Sequence, residues 1–169
     1  ILEKGKIASI TATVAGAGGY LQGWIDWNGD GDFADAGERV ATNIRDNLAG
    51  DTNPTAGTIV FTVTVPATAT TSQTYSRFRW SSTSSLAATT AAIDGEVEDY
   101  NLVINALPVI TSNGGGATAA ISVVENQTAV TTVTATDANS TDVLSYSITG
   151  GADAAKFSID TTSGALIFV

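Results

Sequence analysis

Thr58-Ile59-Val60-Phe61-Thr62-Val63-Thr64-Val65 decides the fold class. Ile59, Phe61, Val63 and Val65 fall on one face, with Thr62 and Thr64 between them. Successive side chains of a strand point to opposite faces, so this period of two in β-branched and aromatic residues marks a half-buried strand. Pro66 ends it, because proline has no N–H to give to a ladder. Working outward, strands are predicted at residues 7–14, 20–27, 74–80 and 97–104, with a weaker one at 39–48. The turn at 16–19 and the Asp51-Thr52-Asn53-Pro54 break separate them. No window of 11 residues holds a helical period of about 3.6, so the plan is all-β.

The pattern changes at residues 105–116, where Pro108 and three consecutive glycines interrupt it. This predicts two domains, 1–105 and 106–169. Short strands are predicted at 120–124, 129–136, 143–149, 156–159 and 165–169, with turn signals about every 8–12 residues, as in a β-sandwich. The expected architecture is two β-sandwich-type domains in series, the second incomplete, because such a sandwich needs about seven strands. Its open edge is expected to be completed by more of a longer chain, or by a strand from another copy in a head-to-tail filament.

Composition narrows the function. The 169 residues carry 17 acids against 7 bases, a net charge of −10. That excludes a nucleic-acid partner, which needs a basic face. There is no His and no Cys, which removes the commonest general base, thiolate chemistry and the usual zinc and copper ligands. No apolar run approaches the roughly 18 residues of a spanning helix, so no membrane insertion is expected. The chain has no Met and is expected to be processed or an excerpt. Abundant Thr, Ser, Ala, Gly and Val point to a secreted bacterial β-protein.

Five of the acids crowd into residues 26–38. Asp26-Trp27-Asn28-Gly29-Asp30-Gly31-Asp32-Phe33 places oxygen-bearing side chains at alternate positions with glycines between, followed by Glu38. Ca²⁺ takes six to eight oxygens, and a tight turn aims every second side chain at one point. Asp26, Asn28, Asp30 and Gly31 fit positions 1, 3, 5 and 6 of an EF-hand loop, but position 12 is Gly37 and Glu38 comes one residue late. The flanks read as strands rather than helices. The expectation is a Ca²⁺ site between strands, held by Asp26, Asn28, Asp30, Asp32 and Glu38. The competing reading is an acidic turn that only solubilises a hairpin.

Glu96 and Glu98 lie two apart on a predicted strand, a separation open to three readings. They could form cross-strand pairs with Arg77 and Arg79, act as a glycosidase-like carboxylate pair, or, for Glu98 or its neighbour Asp99, serve the acidic loop as distal or outer ligands. Arg pairing is the simplest, and no catalytic activity is expected. Trp24, Trp27 and Trp80 could stack on a polysaccharide, but Trp24 and Trp27 alternate in face, so both cannot share one platform. The acceptor-like Asn126-Gln127-Thr128 and Asn139-Ser140-Thr141 read as turns.

Two stretches together carry a family resemblance. Residues 23–33 running to Gly37-Glu38, and Gly95-Glu96-Val97-Glu98-Asp99-Tyr100, resemble the GEVED domain of bacterial surface proteins over about residues 1–104. The resemblance implies a β-rich, non-catalytic, metal-binding module of a large secreted or surface-anchored protein. Residues 108–169 resemble the first part of a bacterial cadherin-like repeat. Val124-Glu125-Asn126 and Asp137-Ala138-Asn139 sit where that family has its Glu-Asn and Asp-x-Asp pairs. This implies a weak junction Ca²⁺ site at Glu125, Asp137 and Asn139, although no acid precedes Pro108. The function expected is a structural or adhesive module, with neighbouring domains or other copies as partners. The alternative is an accessory polysaccharide-binding region of a secreted hydrolase.

Overall fold

The computed structural model describes residues 1–16 and 18–169. It is all-β, with two short 3-10 turns at Ser112–Gly114 and Ala154–Lys156. The chain divides into two compact units, Ile1–Asn105 and Ala106–Val169.

The first unit contains β1 (Leu2–Glu3), β2 (Ile7–Thr13), β3 (Tyr20–Ile25), β4 (Arg39–Ile44), β5 (Thr58–Thr64), β6 (Gln73–Ser81) and β7 (Glu96–Asn105). One sheet has the order β1-β7-β6-β3-β4, and β2 pairs with β5 in a second. The alternation in β5 is used as the sequence predicts: Ile59, Phe61, Val63 and Val65 are all buried. They meet Leu21, Ile25 and Ile104 from the larger sheet in one core. β4 stops four residues short of the predicted end. Asn43 turns to φ +53°, and the Leu48 amide bonds back to the Arg45 carbonyl, a local turn that competes with the ladder.

β3 is buried on both faces, Gln22 and Trp24 included. The outer cover is the long connection between β6 and β7. Three arginines, Arg39 of β4 and Arg77 and Arg79 of β6, hold it by three consecutive carbonyls. Arg39 Nη2 donates to Leu86, Arg79 Nη1 to Ala87 and Arg77 Nη1 to Ala88, at 3.2, 2.6 and 3.1 Å. Leu86 is thereby buried.

The second unit contains β8 (Val109–Ile110), β9 (Ala129–Thr132), β10 (Ala135–Thr136), β11 (Phe157–Ile159) and β12 (Ala165–Phe168). β8 pairs with β10, and β11-β12-β9 form an antiparallel sheet. The strand expected at 129–136 is two short pieces. At the break, the Val133 amide bonds to the Gly164 carbonyl and the Thr134 carbonyl accepts from Thr111 and Ser112. The strands expected at 120–124 and 143–149 do not form. Alternation tells which face a residue would take, not whether a partner edge is there to pair with. Residues 143–149 are pinned by Tyr146, whose amide reaches the Thr161 carbonyl and whose hydroxyl accepts the Ala135 amide. Every buried hydrophobic residue lies in the first unit, whereas Val124, Val143 and Val169 of the second are largely exposed.

Candidate functional site

The acidic loop leaves β3 at Ile25 and returns to β4 at Arg39. Its base is closed by the Ile25 amide on the Glu38 carbonyl at 2.9 Å. β6 fixes the first residue from the other side. The Asp26 amide donates to the Tyr75 carbonyl, and Thr74 Oγ1 donates to the Asp26 carbonyl. The two ends of the loop therefore sit on ladder backbone.

Within it, each oxygen-bearing side chain pins an amide further along. Asp26 Oδ1 and Oδ2 accept from Gly29 and Gly31 at 2.6 and 3.0 Å. Asn28, Asp30 and Asp32 each accept the amide two residues on, at 3.0, 3.2 and 2.8 Å. These are three successive Asx turns, which is what Asn and Asp do best in a chain free of helix and ladder. Gly31, at φ +95°, supplies a left-handed step that a side chain would resist. Asn28 Nδ2 then donates to Asp30 Oδ2 at 3.0 Å and to Asp35 Oδ2 at 2.6 Å, so two carboxylates converge on one amide nitrogen.

Asp26 and Glu38 are each only 1% exposed, and no basic side chain neutralises either. The ion pairs among the described residues are Arg77–Asp99 and Lys156–Asp153. Glu38 Oε1 accepts from the Trp27 amide at 3.1 Å and Oε2 from the Asp35 amide at 3.3 Å. Burial nevertheless pushes the Glu38 carboxyl up in pKa, and the neighbouring charges of Asp26 and Asp35 add to it. Asp30, held by the Asp32 amide and Asn28, is shifted down. Among the described residues no group of three or more acidic side chains is placed to hold a metal ion.

The structure thus brings Asp26, Asn28, Asp30, Asp32 and Glu38 into one loop and adds Asp35, which the reading by alternate positions passes over. The signal for Asp35 was its place among the five acids of residues 26–38.

The second motif is built differently from its expected role. Asp94 anchors it, accepting from Ser81 Oγ and from the amide and hydroxyl of Ser82. Gly95 turns the chain at φ +103°, and a Cβ there would stand 2.0 Å from the Trp80 carbonyl oxygen. The register then sets Glu96 opposite Trp80, Val97 opposite Arg79, Glu98 opposite Phe78 and Asp99 opposite Arg77. The expected Arg–Glu ladder is therefore wrong by one residue. Such a slip moves every side chain to the other face. Arg77 instead grips Asp99 with two bonds, Nε to Oδ1 at 2.7 Å and Nη2 to Oδ2 at 2.6 Å, which holds Asp99 below the usual carboxylate range.

Glu98 and Asp99 point to opposite faces, so they cannot serve the loop together. Glu98 accepts the Tyr100 hydroxyl. Both oxygens of Asp99 are on Arg77, whose guanidinium lies 5.8 Å from the Phe33 ring centre. Asp99 reaches the loop only through that arginine. Trp24 and Trp27 are buried, and Trp80 bonds through Nε1 to the Ala15 carbonyl. In the second unit, Asp137 Oδ1 accepts the Asn139 amide, and Asn139 Oδ1 accepts the Ala106 amide at 2.7 Å. Glu125 is exposed in a turn.

An all-β module with one buried-ended acidic loop and an acidic edge strand is the class of protein these features define. Residues 20–103, which span both motifs, match the family model of the GEVED domain. That domain is found in bacterial surface or secreted proteins. No curated protein matches the chain. No helix among the described residues is long and apolar enough to cross a membrane.

Proposed function

We propose that the first unit is a non-catalytic, calcium-stabilised module of a secreted or cell-surface bacterial protein. Asp26, Asn28, Asp30, Asp32 and Glu38, joined by Asp35, would hold one Ca²⁺. The observation that carries this is the pair of buried carboxylates, Asp26 and Glu38, at the two ends of the loop without a cationic partner. Two unit charges at 4 Å repel by about 1 kcal/mol in water and about 4 kcal/mol at an effective dielectric of 20. A divalent cation converts that repulsion into attraction. The oxygens are hard, as Ca²⁺ prefers, and the Asx turns leave further lone pairs on Asn28, Asp30 and Asp32.

The absence of His and Cys supports the non-catalytic reading. The proposal extends to a structural or adhesive role, for which the second unit offers exposed apolar side chains, Val124 and Val143 among them. Strand addition from another copy would cover them.

The test is terbium and calcium titration of the chain. Trp27, whose Nε1 donates to the Gly37 carbonyl, lies close enough to sensitise terbium emission. Calcium should quench that emission, and at a hundredfold excess over Kd it should stabilise the unit by about 2.7 kcal/mol. Glu38→Gln should lose most of both effects. Equal melting temperatures in calcium and in EDTA would overturn the proposal.

A further inference from the structure

The connection between β5 and β6 faces the acidic loop. Ala69 is buried in the core, and its amide closes a turn on the Pro66 carbonyl at 3.1 Å. The Thr70 amide donates to the Trp27 carbonyl at 2.7 Å. Gly29 comes so near that a Cβ there would stand 3.1 Å from Thr70 Cγ2. Between the two segments lies a cleft of about 260 Å³. Asn28, Asp35 and Glu38 line it on the loop side, Pro66 and Thr68 on the other. Thr68, the third residue of the turn, is exposed. The hydroxyls of Thr70 and Thr74 are committed, the first accepting the Ser72 amide and the second donating to the Asp26 carbonyl. The Thr68 hydroxyl has no such partner among the described residues.

We propose that Thr68 Oγ1 is a further ligand of the cation, supplied from outside the acidic loop. This rests on the calcium reading of that loop. Ca²⁺ takes six to eight oxygens, and the loop's buried carboxylates are already in use. Both oxygens of Glu38 accept amides, as do both of Asp26. An ion drawn to Asp35 and Glu38 from the cleft therefore completes its shell from water or from the far wall. There Thr68 offers the uncommitted side-chain oxygen, since the Pro66 carbonyl accepts the Ala69 amide. The cleft has room for an ion and several waters at roughly 30 Å³ each. A neutral oxygen also suits the charge. Five acids already stand within residues 26–38, and a sixth would add repulsion. The turn is held by Ala69 in the core and by the Trp27 carbonyl, so little freedom is lost when Thr68 engages the ion. Cation binding then ties the β5–β6 connection to the loop between β3 and β4.

The native chain, Thr68→Val and Thr68→Ser are to be titrated with terbium, read through Trp27, and with calcium in competition. Thr68→Val keeps the shape of the side chain and removes its oxygen. Its affinity should fall on the order of tenfold, the lower end for loss of a group that supports a metal. Thr68→Ser keeps the hydroxyl and should bind like the native chain. In EDTA all three should melt alike, because the side chain is exposed. Hydrogen exchange gives a second readout. Calcium should slow the Ala69 and Thr70 amides in the native chain and in Thr68→Ser, but not in Thr68→Val. Native affinity in Thr68→Val would overturn this inference and leave the calcium reading standing. Equal weakening in Thr68→Ser would also overturn it, by assigning the effect to the methyl group. A native chain that binds neither ion would remove both.

Discussion

Replacing Gly95 by Ala tests the geometry of the second motif directly. Two costs add. Gly95 sits at φ +103°, and a non-glycine residue in left-handed backbone costs about 1–2 kcal/mol. The new Cβ would also stand 2.0 Å from the Trp80 carbonyl oxygen and 2.9 Å from the Ser81 Cα, both backbone atoms that cannot rotate away. Relieving such a clash by moving strands costs about 1–3 kcal/mol. The sum, about 2–5 kcal/mol, is a large share of the roughly 5–15 kcal/mol that holds a domain together. Gly5 is the control. It has φ +75° but nothing within 4 Å of its built Cβ, so Gly5→Ala carries only the first cost. All three Trp residues, Trp24, Trp27 and Trp80, lie in the first unit, so tryptophan fluorescence reports its unfolding alone. With a urea slope near 1–3 kcal/mol per molar, Gly95→Ala should lower the midpoint by roughly 1–3 M and Gly5→Ala by about 1 M or less. Equal midpoints for the two variants would refute the argument that β6 and β7 leave no room at this turn.

Arg79→Ala should cost about 2–3 kcal/mol, since it removes a buried charged donor to the Ala87 carbonyl. Limited proteolysis should then cut within residues 82–94, and an uncut connection would count against the three-arginine clamp. Asp99→Asn should narrow its deficit relative to the native chain as pH falls. The native carboxyl is shifted below its usual 3.8, so its contribution is full above that pH and is lost as pH drops through the lowered value. Urea midpoints of the two chains that stay equally far apart at about pH 2 would contradict this. Hydrogen exchange should find amides of the second unit less protected than those of β3, β5 and β6, because no apolar residue beyond Ile104 is buried. Matching protection in the two units would show that burial is a poor guide here.

The core strand was legible because its alternation is strict and its partner abundant. The three inward residues of β5, and Val65 just beyond it, are buried as read. The acidic loop was legible because Asx turns are local chemistry, settled by residues two or three apart. Register was not legible. Whether Glu98 opposes Phe78 or an arginine depends on the bend at Gly95, the Asp94 anchor and the 13 residues at 82–94 that the β6–β7 connection takes. None of these leaves a periodic trace in the sequence. The segments 120–124 and 143–149 fail for a related reason. They satisfy a strand's side-chain pattern, yet the backbone finds no edge to pair with.

The two stretches that the sequence marks separately, the loop at 26–38 and the motif at 95–100, meet at Arg77. Its guanidinium faces the Phe33 ring on one side and holds Asp99 and the Ala88 carbonyl on the other. The magnitudes decide how tightly this couples them. A partly exposed cation–π contact is worth about 0.5–1 kcal/mol. The two bonds to Asp99 and the one to Ala88 hold Arg77 in place whether or not Phe33 stays. If the loop loosens without its cation, β7 therefore loses one weak contact and keeps its register, its Gly95 turn and its Asp94 anchor. Calcium would then govern the stability of the unit while leaving the shape of the β7 edge nearly unchanged.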